Sequence, residues 1–271
     1  MAYALPAPDS RNRSLPHRTM PNRAFILRMP LHLLAIALSH LDSTVSLGSA
    51  ILAHSSLYAS FREDRARVMR AILLNQIPPA ILPYAHATFL AARLAQDPEP
   101  LTTKRVSHFL SRHVHAIFEF ELSASRIERI LFPESPEGDL SSAIDPLALH
   151  ALSKTHTVVE HFTRHFARDT FPFAHRNLGL PQRGEENMLS ADETFRIHRS
   201  IYRFQLYCNL FRHPYQPFQH LSLPTLIATF FFPDFSPWVN EQLACIHDYF
   251  ERLLSRGKEL DTLLAILTPQ S

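Results

Sequence analysis

Histidine is the residue type in this chain best suited to chemistry. There are 17 of them, and His161 and His165 stand four apart. On a helix that spacing puts two imidazoles on one face, where they could chelate zinc. Phe162, however, fills the position at which a His-Glu-x-x-His enzyme carries its general base, so that protease chemistry is excluded. His113 and His115 are two apart and point away from one another, and His156 lies five before His161, again poorly aligned. With histidine so abundant, one such pair is expected by chance, and we assign no metal ligand. Gly179 and Gly184 have the gap of a phosphate-binding loop, but Glu185 and Glu186 follow where a lysine and a hydroxyl residue are needed. Carboxylates there would repel phosphate. No Gly-x-Ser-x-Gly elbow occurs for a nucleophilic serine. Cys208 and Cys245 each fall in an apolar helical run and read as small buried hydrophobes. The residues therefore point to a protein that is not an enzyme, with no catalytic residue and no cofactor.

The elements that would position these residues are helical throughout. Five glycines and 21 prolines suit helices joined by proline-marked turns rather than hairpins. The pattern predicts helices over Leu31–Leu41 and Val45–Ala53, and a third that opens at Leu57 and runs on to Asn75. Pro78-Pro79 starts another that ends near Asp97, and Thr102 or Thr103 caps the next, through Phe120. Residues 133–142 read as a loop. Asp145-Pro146 opens a helix to about Asp169, after which Phe171–Asn187 reads as a linker. Ser190 and Glu193 form a capping box, in which each side chain satisfies the other residue's backbone N–H. The helix behind it carries the stripe Ile197, Ile201, Phe204, Cys208 and Phe211. The last helix, opened by Ser236-Pro237, repeats that spacing with Val239, Leu243, Ile246, Phe250 and Leu253. Two such seams should pack on a common core, with Phe204 and Phe250 buried and Trp238 anchoring the start of the last helix. No strand-like alternation competes, so the expected class is all-α.

Composition narrows the partners. A chain of 271 residues can bury roughly three quarters of its unfolded surface without staples. The balance of 27 basic against 25 acidic side chains does not suggest nucleic acid. Two cysteines make no disulfide framework, which fits a cytoplasmic or nuclear location. The strongest apolar run, Leu221–Phe232, is 12 residues long and broken by Pro224, too short for a membrane span. Residues 1–28 carry five arginines against Asp9 alone, a charge of +4, with prolines that oppose an amphipathic targeting helix. They read as a disordered basic tail, and Met20 or Met29 could serve as the start.

Residues 29–61 (MPLHLLAIALSHLDSTVSLGSAILAHSSLYASF) hold more apolar side chains than three short helices can hide within themselves. Their order resembles the F-box. Met29-Pro30-Leu31-His32-Leu33-Leu34 stands where that motif opens, and Ile36, Leu38 and Leu41 continue it. Asp42 lies near its polar turn, Val45, Leu47, Ile51 and Leu52 follow, and Ser56-Leu57-Tyr58 lies where it closes. The chain departs from the family at His32 (usually an acid), at Thr44-Val45 (usually Asp-Leu) and at Leu57 or Tyr58 (commonly Trp). The stretches IYRFQLYCNLF (201–211) and SPWVNEQLACIHDYF (236–250) are similar to a family of filamentous-fungal proteins, many of them labelled F-box-like. That second resemblance implies a shared helical fold and brings no activity with it.

The F-box resemblance implies a substrate receptor that docks onto the adaptor of a cullin-RING ubiquitin ligase, leaving catalysis to other subunits. Pro30, Leu33, Leu34, Leu38 and Leu41 from the first helix, with Val45 and Ile51 from the second, are the candidate adaptor-binding residues. Residues 29–75 would form the F-box-like segment, packed on or linked to an irregular multi-helix body over 78–267 that could recognise a protein substrate. Neither nucleic acid nor membrane is expected as a partner. The alternative is a stand-alone helical scaffold with these helices in its own core.

Overall fold

A computed structural model describes residues 29–99, 101–115, 117, 125–126, 146–179, 189–211, 227–229, 231–233 and 235–255. The class is all-α, with no strand among the described residues. In chain order the helices are α1 (Leu31–Ser39), α2 (Thr44–Ala53), α3 (Ser55–Glu63), α4 (Arg65–Gln76), α5 (Leu82–Gln96) and α6 (Thr103–Leu110). One π-helical turn (Ser111–His115) follows, then α7 (Pro146–Asn177), α8 (Ala191–Phe211) and α9 (Pro237–Ser255). The expected tail at residues 1–28 and the expected loop at 133–142 lie outside the described residues.

Local chemistry accounts for the helix starts. The Ser43 hydroxyl accepts the Ser46 N–H at 3.1 Å, and Thr102 caps α6 by accepting from the Arg105 N–H at 3.3 Å. The capping box at α8 forms in both directions. The Glu193 N–H donates to Ser190 Oγ at 3.2 Å, and the Ser190 N–H donates to Glu193 Oε2 at 2.7 Å.

Several helix boundaries differ from the sequence expectation; α6, for one, gives way to the π-helical turn after Leu110. The third helix does not run on to Asn75 but breaks at Asp64 (φ −130°, ψ 43°). Ser60 Oγ donates to the Leu31 carbonyl at 2.7 Å and holds α3 against α1, while α4 turns to serve two cores at once. In the other direction, α7 does not stop near Asp169 but continues through Pro172 to Asn177. The first residues of the expected linker, 171–177, are therefore helical, and residues 180–187 of it lie outside the described residues. Proline removes one helical hydrogen bond, a loss that Phe171 counters by packing on the main core. The helix closes at Gly179, whose φ of +64° is a left-handed conformation that glycine adopts without strain.

Three apolar clusters hold the helices together. The main one joins α4, α5, α7, α8 and α9 around Leu73, Leu82, Leu152, Phe162, Tyr202 and Phe250. A second joins α5, α6, α8 and α9 around Val106, Leu110, Leu210 and Phe231. A third gathers Ala35, Leu38 and Leu47 from α1 and α2 onto Val68 and Ile72 of α4. Helix α4 thus gives Val68 and Ile72 to the N-terminal unit, and Met69 and Leu73 to the body. The first three helices are packed on the body through this two-sided wall. Thr44 Oγ1 donates to Ser153 Oγ at 2.9 Å and adds a direct tie to α7.

Helix α8 lies at the centre. It packs on α5, α7 and α9, and Thr88 Oγ1 donates to the Tyr202 carbonyl at 3.2 Å. Three neighbours require more than one buried stripe. Accordingly His198, Ser200, Tyr202 and Arg203 are buried along with Ile197 and Ile201.

Candidate functional site

The candidate docking residues separate into two groups. Leu34 and Leu38 are buried, and Leu41 and Ile51 are half-buried against the third cluster. Their apolar surface is spent inside the protein. Pro30, Leu33 and Val45 face solvent, and Val45 is 70 % exposed. The candidate set missed Leu52, which is 88 % exposed. Each helical residue advances about 100°. Val45 and Leu52, seven apart, therefore lie on one side of α2, away from its single buried residue Leu47. Leu31 and Tyr58 are exposed beside them in sequence. Of the ten exposed large hydrophobics among the described residues, Leu31, Leu33, Val45, Leu52 and Tyr58 fall within residues 31–58. Half of these residues therefore sit on three short helices.

The histidine pair His161 and His165 is brought together, with ring centroids 5.6 Å apart. The surroundings oppose a metal ion there. Arg168 Nη2 lies 2.6 Å from His165 Nε2, and the other ring nitrogen faces Tyr249 Oη at 3.2 Å and Asp169 Oδ2 at 3.6 Å. A guanidinium so close would repel a second cation. His247, Asp248 and Glu251 do bring ligand atoms within 4.8 Å of one another on α9. The two carboxylates are exposed, and gatherings of this kind are common on helix surfaces without an ion, so we assign no metal site.

The histidines that sequence spacing did not single out have the more unusual setting. His156 of α7 is fully buried, and its Nδ1 lies 3.0 Å from Tyr202 Oη. Its ring meets His198 edge-on at 5.3 Å. His156 Nε2 faces Glu160 Oε1 at 3.8 Å, and neither it nor His198 Nδ1 has a hydrogen-bond partner among the described residues. Burial pushes the His156 imidazole down to about 3, with His198 adding to the effect and the Gln76 backbone opposing it. Burial lowers His198 to about 4. His86 on α5 is likewise held down to about 4, by burial first and by His113 second. All three rings are neutral core residues at ordinary pH. The rest of the cluster is fixed by hydrogen bonds rather than open to a substrate. Ser153 Oγ donates to Gln76 Oε1 at 2.6 Å, and Gln76 Nε2 donates to Thr157 Oγ1 at 3.0 Å.

Arg203 is a second buried polar anchor, only 1 % exposed. Its guanidinium lies over Phe235 at 3.3 Å from the ring centroid. Nη1 donates to the Val239 carbonyl at 2.8 Å and Nη2 to Asn240 Oδ1 at 2.9 Å. Burial brings its pKa down to about 9, leaving it charged at neutral pH. A planar, forked donor stacked on an aromatic ring ties α8 to the first turn of α9, a geometry that an ammonium cannot reproduce. Arg203→Lys should lower stability by about 2 kcal/mol, read as a shift in urea midpoint. An unchanged midpoint would show that positive charge alone suffices.

Three further expectations need correction or refinement. Trp238 does not anchor the start of α9, because it is 79 % exposed. It stands one residue before Val239, which places it about 100° away from the buried seam of Leu243, Ile246 and Phe250. Cys245, beside Ile246, lies off the same seam and is exposed rather than buried, while Cys208 is half-buried. Phe250 is buried as expected, but Phe204 is half-buried. One side of Phe204 packs on Phe250, with centroids 5.0 Å apart, and the other helps to line a groove between α8 and α9.

Sequence spacing weighs His156 only against His161 and reads α8 as one apolar stripe, and so misses the His156–His198–Tyr202 cluster and Arg203. A usable signal was present, since His198 and Tyr202 are four apart and Ile201 and Arg203 flank the tyrosine. No helix of the described residues is long and apolar enough to cross a membrane. No protein-family model, curated protein or solved structure matches the chain.

Proposed function

We propose that this chain is a non-enzymatic, F-box-like substrate receptor. Its N-terminal unit docks the adaptor of a cullin-RING ubiquitin ligase through Pro30, Leu33 and the outer side of α2, and it acts in the cytoplasm or nucleus. The supporting observation is the pairing of Val45 with Leu52 on the side of α2 away from Leu47. A helix with one face in its own core and a second apolar face in water is suited to a protein partner. The F-box-like order of residues 29–61 supplies the identity of that partner.

The ties from Thr44 and Gln76 to Ser153 favour a second reading, a stand-alone interaction scaffold of which this unit is an integral part. Capture of purified ligase adaptor by the intact chain separates the two. Val45→Asp with Leu52→Asp should reduce capture at least roughly thirtyfold, as for loss of about 2 kcal/mol of buried apolar anchors. The melting temperature should stay within a few degrees of wild type. Undiminished capture by the double variant would overturn the docking face, and an intact chain that captures no adaptor would favour the scaffold.

A further inference from the structure

We propose that the groove between α8 and α9 binds a protein segment in which an apolar anchor side chain is followed by lysine or arginine. The groove encloses about 540 Å³, within the range of pockets that bury a ligand. Phe204 and Tyr207 of α8, Leu243 and Ala244 of α9, and Ile227 and Phe232 make its walls. Phe232 is partly exposed, the kind of aromatic that dominates binding energy at protein interfaces. Asn240, the one amide in the wall, is committed elsewhere. Its Oδ1 accepts from Arg203, and its Nδ2 donates to the carbonyls of Phe232 and Phe235 at 3.1 and 3.3 Å. Asn240 therefore shapes the groove rather than orienting a small polar ligand. Recognition is left to apolar filling and to charge at the rim.

That charge is negative. Asp248 lines the groove, and its Oδ1 lies 3.5 Å from His247 Nδ1. Among the described residues no lysine or arginine lies within ion-pair distance of it. Glu251, one turn further along α9, brings a second exposed carboxylate to the same place. An apolar channel ending in two exposed carboxylates that no described lysine or arginine pairs with is complementary to an apolar side chain with a cation just behind it. This inference is independent of the adaptor reading, because no residue of α1–α3 lines the groove.

Fluorescence polarisation on the full chain tests it with three labelled eight-residue peptides. One carries Leu-Phe followed by two arginines in a Gly-Ser background, one has glutamates in place of the arginines, and one has serines in place of Leu-Phe. Only the first is expected to bind. Asp248→Lys should weaken it roughly tenfold and shift the preference to the glutamate peptide. Ala244→Trp, at an exposed position, should fill the groove and abolish binding without changing the melting temperature. The Val45→Asp, Leu52→Asp protein should bind as wild type does, so failure at the adaptor face is distinguishable from failure here. Equal binding of all three peptides, no binding, or an unchanged preference in Asp248→Lys would overturn the proposal. A dimer dissolved by Ala244→Trp would assign the groove to a second copy and overturn it equally. Should Ala244→Trp not fold, the charge reversal at exposed Asp248 still decides.

Discussion

Moving from pH 7 to pH 5 is expected to lower the folding stability of this protein by about 5 kcal/mol, a third or more of what a typical domain possesses. The effect comes from His86, His156 and His198, whose imidazoles burial holds down to about 4, 3 and 4 in the folded state, against an ordinary value of 6.5. The unfolded chain takes up protons on these rings as the pH falls through 6.5, whereas the folded chain does not until near 4. Acid therefore favours unfolding across that window, and the stability is fully present above it. At pH 5 each ring contributes a loss of about 2 kcal/mol. The groups facing the cluster do not cancel this. Glu160, 3.8 Å from His156, offsets only part of it. Burial raises its carboxyl, with Arg164 acting the other way, so the folded state takes up that one proton ahead of the unfolded chain, against three lowered imidazoles. The Tyr202 hydroxyl, pushed up by burial, stays neutral throughout. Urea midpoints at the two pH values, followed by circular dichroism, measure the loss. His198→Phe should remove about a third of the pH dependence, and a midpoint that does not move with pH would refute the neutral-core assignment.

Phe250→Ala should destabilise the protein by about 3–5 kcal/mol, enough to unfold a marginal domain at physiological temperature. Its ring meets Phe162 edge-on at 5.1 Å and lies 5.0 Å from Phe204, so truncation opens a cavity where α7, α8 and α9 converge. Phe204→Ala, at a half-buried position on the groove wall, should cost about 1–2 kcal/mol because less area leaves water there. It should also weaken peptide binding in the groove. Thermal unfolding of the two variants distinguishes the roles. Equal losses would mean that Phe204 is as much a core residue as Phe250, and unchanged melting temperatures would remove both from the core.

What could be read from residue order alone was whatever depends on near neighbours. The caps at Thr102 and Ser190, the proline-led starts of α7 and α9, and the seam Leu243, Ile246, Phe250 and Leu253 rest on interactions within a few positions. These are short-range, so their signal survives in the sequence, and with it the all-α class. The exposed apolar side of α2 and the polar core depended on which helices come together. Leu34 and Val45 both read as candidate surface residues, but α1 packs against α3 and α4, and Leu34 is buried while Val45 stays in water. Spacing puts His198 and Tyr202 on one side of α8, but only the packing of α7 on α8 buries them together with His156. Trp238 fell outside the core because a helix rotates its residues by about 100° each, and α8 meets only one side of α9. Helical periodicity gives the angle between two side chains on one helix. Only the packing of other helices decides which of those angles faces protein and which faces water, and burial is what turns an ordinary histidine or arginine into a structural one.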